Sequence, residues 1–154
     1  MDNETFRQTY RDINERFCPY EKTILTNNGA CSRAERFCIA EREGVHCRSD
    51  AAQDRCLRFL DILRQQARFA LRAALGAGAL PHAKAMRIQV GGLRGLHAVL
   101  EPDRPIPHPI PDVNALVQGS EERFGDLGEL PFQVIVQQIA AYKGRRPFRD
   151  RRGR

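Results

Sequence analysis

Cys18, Cys31, Cys38, Cys47 and Cys56 are the only cysteines of the chain, and none follows in the long remainder after Cys56. Thiolates are nucleophiles and soft metal ligands, so five of them in one short stretch form the first candidate for chemistry. Their separations are wide: twelve, six, eight and eight residues intervene between successive cysteines, and no C-x-x-C occurs. Structural zinc favours close pairs of two to four intervening residues, and thiol–disulfide oxidoreductases favour C-x-x-C. Single cysteines set far apart suit a larger object, and an iron–sulfur cluster is one whose thiolate ligands surround several metal ions at once. An odd count also argues against a complete disulfide framework.

Four of the five are expected to serve as ligands. Cys18 precedes Pro19, the same step that closes a bacterial ferredoxin ligand run. Cys31 stands just before Ser32, an expected helix N-terminus, where unpaired N–H groups favour a thiolate. Cys47 falls in an expected loop, and Cys56 on the apolar stripe of a long helix. The expected metal site is therefore Cys18, Cys31, Cys47 and Cys56, with a 4Fe–4S cluster as cofactor and zinc as the alternative. Cys38 reads as a mid-helix core residue or reserve ligand. His46 can replace a sulfur ligand, though a loop histidine is ordinarily just exposed. Phe17, Tyr20, Phe37 and Phe59 are expected to shield the site from water, and Arg33 and Arg48 to moderate its negative charge.

The elements that must position these residues read as mainly α. Asp2 or Asn3 caps a first helix to about Phe17, with Phe6, Tyr10, Ile13 and Phe17 on one stripe. Ser32 and Glu35 make a capping box opening a second helix to about Glu43, with Gly44 at its end. Ser49 or Asp50 caps a third helix over about 50–75, whose apolar positions include Ala52, Cys56, Phe59, Leu60 and Leu63. Residues 1–75 thus form a cysteine-bearing three-helix lobe, and 76–84 a linker. A second small helical lobe covers 85–142. It begins with a short strand or extended entry at Ala85–Val90, a break at Gly91-Gly92 and a helix over Leu93–Leu100. Five prolines make 102–111 a polyproline-like spacer. Asp112 caps a helix to Phe124 that Gly125 ends, and Pro131 opens the last helix, with Val134, Ile135, Ile139 and Tyr142 inward. The turn Gly91-Gly92-Leu93-Arg94-Gly95 lacks the order of a dinucleotide fingerprint and reads as a packing turn.

The formal net charge is +6, and it is local. Lys143, Arg145, Arg146, Arg149, Arg151, Arg152 and Arg154 against Asp150 account for all of it, so 143–154 is expected to be a disordered basic tail. No 18-residue apolar run occurs, and Met1–Tyr10 lacks the pattern of a secretory signal; the expected location is cytoplasmic, with no membrane insertion. No G-x-S-x-G, HExxH or EF-hand loop is present, which disfavours an enzyme of those classes. The sequence therefore predicts an iron–sulfur protein acting as an electron-transfer subunit or maturation accessory, with a redox or assembly protein as partner. The alternative is a metal-stabilised or redox-sensing regulator whose basic tail contacts nucleic acid or an acidic partner.

Overall fold

The computed structural model of the protein describes residues 2–144. The expected basic tail lies outside them, apart from Lys143 and Gly144. Helix α1 (Asn3–Ile13) begins where Asp2 accepts a hydrogen bond from the Thr5 N–H at 2.7 Å. It ends four residues before the expected Phe17. Asn14 stops it by turning its side-chain amide onto the Val45 carbonyl at 3.1 Å. A short helix α2 (Glu21–Leu25) follows.

The expected helix over 32–43 is not formed. Strands β1 (Ala34–Ile39) and β2 (Arg42–Cys47) pair antiparallel there, with Ala34 opposite Cys47 and Ile39 opposite Arg42. Ala40 and Glu41 turn the hairpin with positive φ at both positions, 47° and 73°, the backbone that a two-residue hairpin loop requires. Gly44, read as a helix end, instead sits opposite Phe37. A Cβ there would fall 2.4 Å from the Phe37 ring, so the ring occupies the place of the missing side chain.

Helix α3 (Asp50–Gln66) keeps its expected cap: the Ser49 hydroxyl accepts from the Ala52 N–H at 3.1 Å. It buries Ala52, Cys56, Phe59, Leu60 and Leu63 along one face. Ala67 separates it from α4 (Arg68–Leu75), so the single helix expected over 50–75 is two. Helix α5 (Pro81–Met86) begins inside the expected linker and runs past its end. The expected strand at 85–90 is helical too: α5 runs into a wide π turn (Arg87–Gly91) and then α6 (Gly92–Leu100). Pro102–Pro111 contains no helix, as five prolines demand. Helix α7 (Val113–Phe124) ends at Gly125, and α8 (Phe132–Ala141) follows Pro131.

One cluster of buried side chains runs from Cys18, Tyr20 and Ile24 through Phe59, Leu60 and Leu63 to Leu93, Leu96, Ile135 and Ile139. The glycines expected as a packing turn lie in helix and bring backbone close to α8. A Cβ on Gly95 would stand 2.6 Å from the Ile135 Cα, and one on Gly91 2.7 Å from the Ile139 Cα, so α6 and α8 meet backbone to backbone. Gly95→Ala is expected to cost about 1–3 kcal/mol by overpacking. Gly119→Ala on α7, where nothing lies within 4 Å of the added carbon, should leave stability unchanged or raise it. Denaturant midpoints of the two variants check both. No helix among the described residues is long and apolar enough to cross a membrane.

Candidate metal centre

After α1, the chain runs antiparallel beside β2. The Cys18 N–H donates to the Val45 carbonyl at 3.0 Å, the Cys47 N–H donates to the Arg16 carbonyl at 2.7 Å, and Phe17 lies opposite His46. Residues that oppose one another across a sheet share a face, and so do residues two apart on one strand. Cys18, Val45 and Cys47 therefore face one side, while Phe17 and His46 face the other. Val45 is fully buried and Cys18 and Cys47 nearly so; Phe17 is 40 % exposed. The His46 Nδ1 lies 3.0 Å from the Asn14 Oδ1, which occupies that ring nitrogen away from the thiols. Neither Phe17 nor His46 belongs to the site.

Cys31 is held from the far end of the chain. The Ala30 N–H donates to the Ile110 carbonyl at 2.9 Å, and the Val113 N–H donates to the Ala30 carbonyl at 2.9 Å. Both the Ser32 N–H and hydroxyl donate to one oxygen of Asp112, at 3.0 and 3.2 Å. Ser32 thus opens no helix of its own; its capping chemistry is spent on the segment leading into α7. Cys31 consequently lies near the first turn of α7, whose Asn114 N–H lowers its pKa. The Arg33 N–H lies 3.4 Å from the Cys31 sulfur. Cys56 reaches the site from the buried face of α3.

Cys18, Cys31, Cys47 and Cys56 act on one another electrostatically. Burial pushes Cys18 and Cys56 up to about 12, and Cys31 upward as well. To burial is added mutual repulsion: Cys31 and Cys47 raise Cys18, Cys47 raises Cys31, and Cys18, Cys31 and Cys47 all raise Cys56. Every pair among the four is thus within electrostatic reach. The Tyr20 N–H opposes the shift at Cys18, the Arg33 and Asn114 N–H groups oppose it at Cys31, and Arg55 opposes it at Cys56.

Cys38 acts on none of them. It is exposed, on β1 opposite Glu43. At about 3.3 Å per residue it stands about 13 Å along the strand from Ala34, the position that faces Cys47. The expectation that Cys38 is a mid-helix core residue is corrected by the hairpin, which turns it to solvent.

Of the expected shielding residues, Tyr20 and Phe59 lie fully buried in the same cluster as Cys18 and Cys56, while Phe37 is spent on Gly44 and on Tyr10, 5.8 Å away between ring centroids. The Tyr20 hydroxyl is buried with no hydrogen-bond partner among the described residues, and it feels Cys56 and Cys18 as neighbouring charges. A buried orphan hydroxyl costs about 1–3 kcal/mol unless something accepts from it. Asn114 and Asp112 were not expected near the thiols, since no local spacing connects residues 31 and 114. No three histidine, cysteine, aspartate or glutamate side chains among the described residues are grouped as donors to one metal ion. No known protein family, curated protein or solved structure matches this chain.

Proposed function

We propose that the protein is a cysteine-ligated iron–sulfur protein, with Cys18, Cys31, Cys47 and Cys56 as ligands of a 4Fe–4S cluster, and that it serves as an electron-transfer subunit or maturation accessory within a protein complex. The observation that carries this reading is that these four thiols, from four separate stretches of chain, lie within electrostatic reach of one another in every pairing, while the fifth lies apart. Thiolates around a cluster surround several metal ions at once, so its ligands stand farther apart than donors to a single ion.

The residues present suit such a group. A cluster bound there supplies one-electron exchange. The chain's own part is to hold and insulate. Tyr20 and Phe59 keep water from the sulfurs, and burial disfavours bare thiolates at Cys18, Cys31 and Cys56, so the site gains most from a cation that shares their charge. The N–H groups of Tyr20, Arg33 and Asn114 donate toward sulfur and stabilise its negative charge. The Tyr20 hydroxyl is a further donor in need of an acceptor.

The test is oxygen-free purification of the full chain followed by an absorbance scan and iron, sulfide and zinc analysis. The expected result is a brown protein carrying about four iron and four sulfide per chain that bleaches in air. A colourless protein free of iron and sulfide under those conditions overturns the proposal, and stoichiometric zinc in their place would select the zinc alternative.

A further inference from the structure

A second concavity lies apart from the cysteines and shares no residue with their site. The turn after α2, the end of α4, helix α5, the proline segment and the exit from α8 enclose a cleft of about 860 Å³. Small-molecule sites fall at roughly 300–1,000 Å³. The character of the lining is one-sided. Arg87 and Lys143 are fixed cations, His82 and His108 add two ring donors, and no carboxylate stands among the described lining residues. Arg87 is held in place, with one guanidinium nitrogen donating to the Ile139 and Ala140 carbonyls at 3.2 and 2.7 Å. Those carbonyls orient the guanidinium without cancelling its charge. His82, His108 and Lys143 engage no partner in a hydrogen bond or ion pair among the described residues. Met86 and Tyr142 add apolar surface to the lining of the same cleft.

We propose that this cleft binds a small phosphorylated ligand, with the phosphate groups met by Arg87, Lys143, His82 and His108 and a flat or apolar body laid against Met86 and Tyr142. Four basic side chains around one space exceed what a single carboxylate can use, and match an anion of charge two or more. The inference does not depend on what the cysteines hold.

The experiment titrates the full chain, prepared without oxygen and at low salt, with ADP, pyrophosphate and adenosine, reading heat by calorimetry and location by backbone NMR shifts. ADP is expected to bind and perturb signals at His82, His108 and Tyr142, pyrophosphate to bind more weakly, and adenosine not to bind. His82→Ala with Lys143→Ala, both on exposed side chains and leaving Arg87 to hold α8, should weaken ADP about tenfold with an unchanged melting temperature. The proposal is overturned if neither ADP nor pyrophosphate binds at millimolar concentration, if adenosine binds as well as ADP, or if the double variant binds ADP like the parent. Shifts confined to residues 145–154, the signature of loose contact with any polyanion including nucleic acid, overturn it equally.

Discussion

Cys18→Ser, Cys31→Ser, Cys47→Ser and Cys56→Ser, made singly, are each expected to cut the iron bound per chain after anaerobic reconstitution by about tenfold or more, whereas Cys38→Ser retains it. Even an indirect partner of a metal ligand commonly changes affinity by about 10–100-fold, so loss of a ligating sulfur sets a steeper fall. The contrast with Cys38 gives the series its force. All five thiols have the same intrinsic chemistry, and only position separates them: four lie within one another's fields and the fifth is exposed opposite Glu43. Iron analysis together with the visible absorbance of the five variants reads the outcome. Equal loss in all five, or loss with Cys38→Ser alone, would contradict the assignment of ligands. The Ser variants also differ from one another in a checkable way: Cys56→Ser alters only a buried face of α3, so the metal-free variant should retain the parent's helical circular dichroism.

The metal-free chain is expected to lose stability steeply as pH rises above about 9. Cys18 and Cys56 titrate near 9 when unfolded and at about 12 in the fold, raised chiefly by burial. A group whose folded pKa is raised contributes stability that is fully present below its unfolded value and is lost as pH climbs toward the folded one. Between pH 9 and 12 the unfolded chain therefore releases these protons first and is favoured. The loss is on the order of 2 kcal/mol for each of the two thiols at about pH 10.5. Cys31 and Tyr20 are raised in the same direction by burial and add to the slope. Denaturant midpoints at pH 8 and about pH 10.5 measure it, and Cys18→Ala with Cys56→Ala should flatten the difference. Once a metal cofactor holds the sulfurs as thiolates their protons are already gone, so the loaded chain should lose the cysteine part of this dependence and keep only that of Tyr20.

Local signals identified a good part of the architecture. The Asp2 cap of α1, the Ser49 cap of α3 and the buried stripe of α3 follow from cap residues and apolar spacing; α7 also spans the stretch expected between Asp112 and Gly125, although the Asp112 side chain binds Ser32 and caps nothing. The hairpin did not, because its signal is missing at the turn. Ala40-Glu41 adopts positive φ without the Gly or Asn that usually announces it, and the stretch from Ala34 to Arg42 is rich in good helix formers. Pairing with β2, and the packing of Phe37 into the space left by Gly44, outweigh that propensity. The same locality explains the division at the candidate site. Setting Cys38 aside rested on a helix that does not form; the surroundings of Cys18 and Cys47 come from the pairing beside β2, those of Cys31 from the segment before α7, and only Cys56 keeps its expected place on α3. Ser32 with Glu35 is a sound capping box in isolation; Asp112, eighty residues away, takes the serine first. The strand expected at Ala85–Val90 failed for a related reason. Its apolar residues serve a helix whose glycines let α8 approach at backbone distance.

The brace that Ile110, Asp112 and Val113 form on Ala30 and Ser32 has a bearing on biosynthesis. All four sulfurs are translated by residue 56, yet Cys31 has no fixed seat until the segment through Asn114 has left the ribosome and folded back. For a long interval the nascent chain carries its reactive side chains without the frame that gathers them. On the proposed reading, metal loading would wait for the later helices, and a prematurely stopped chain would leave Cys31 without its seat.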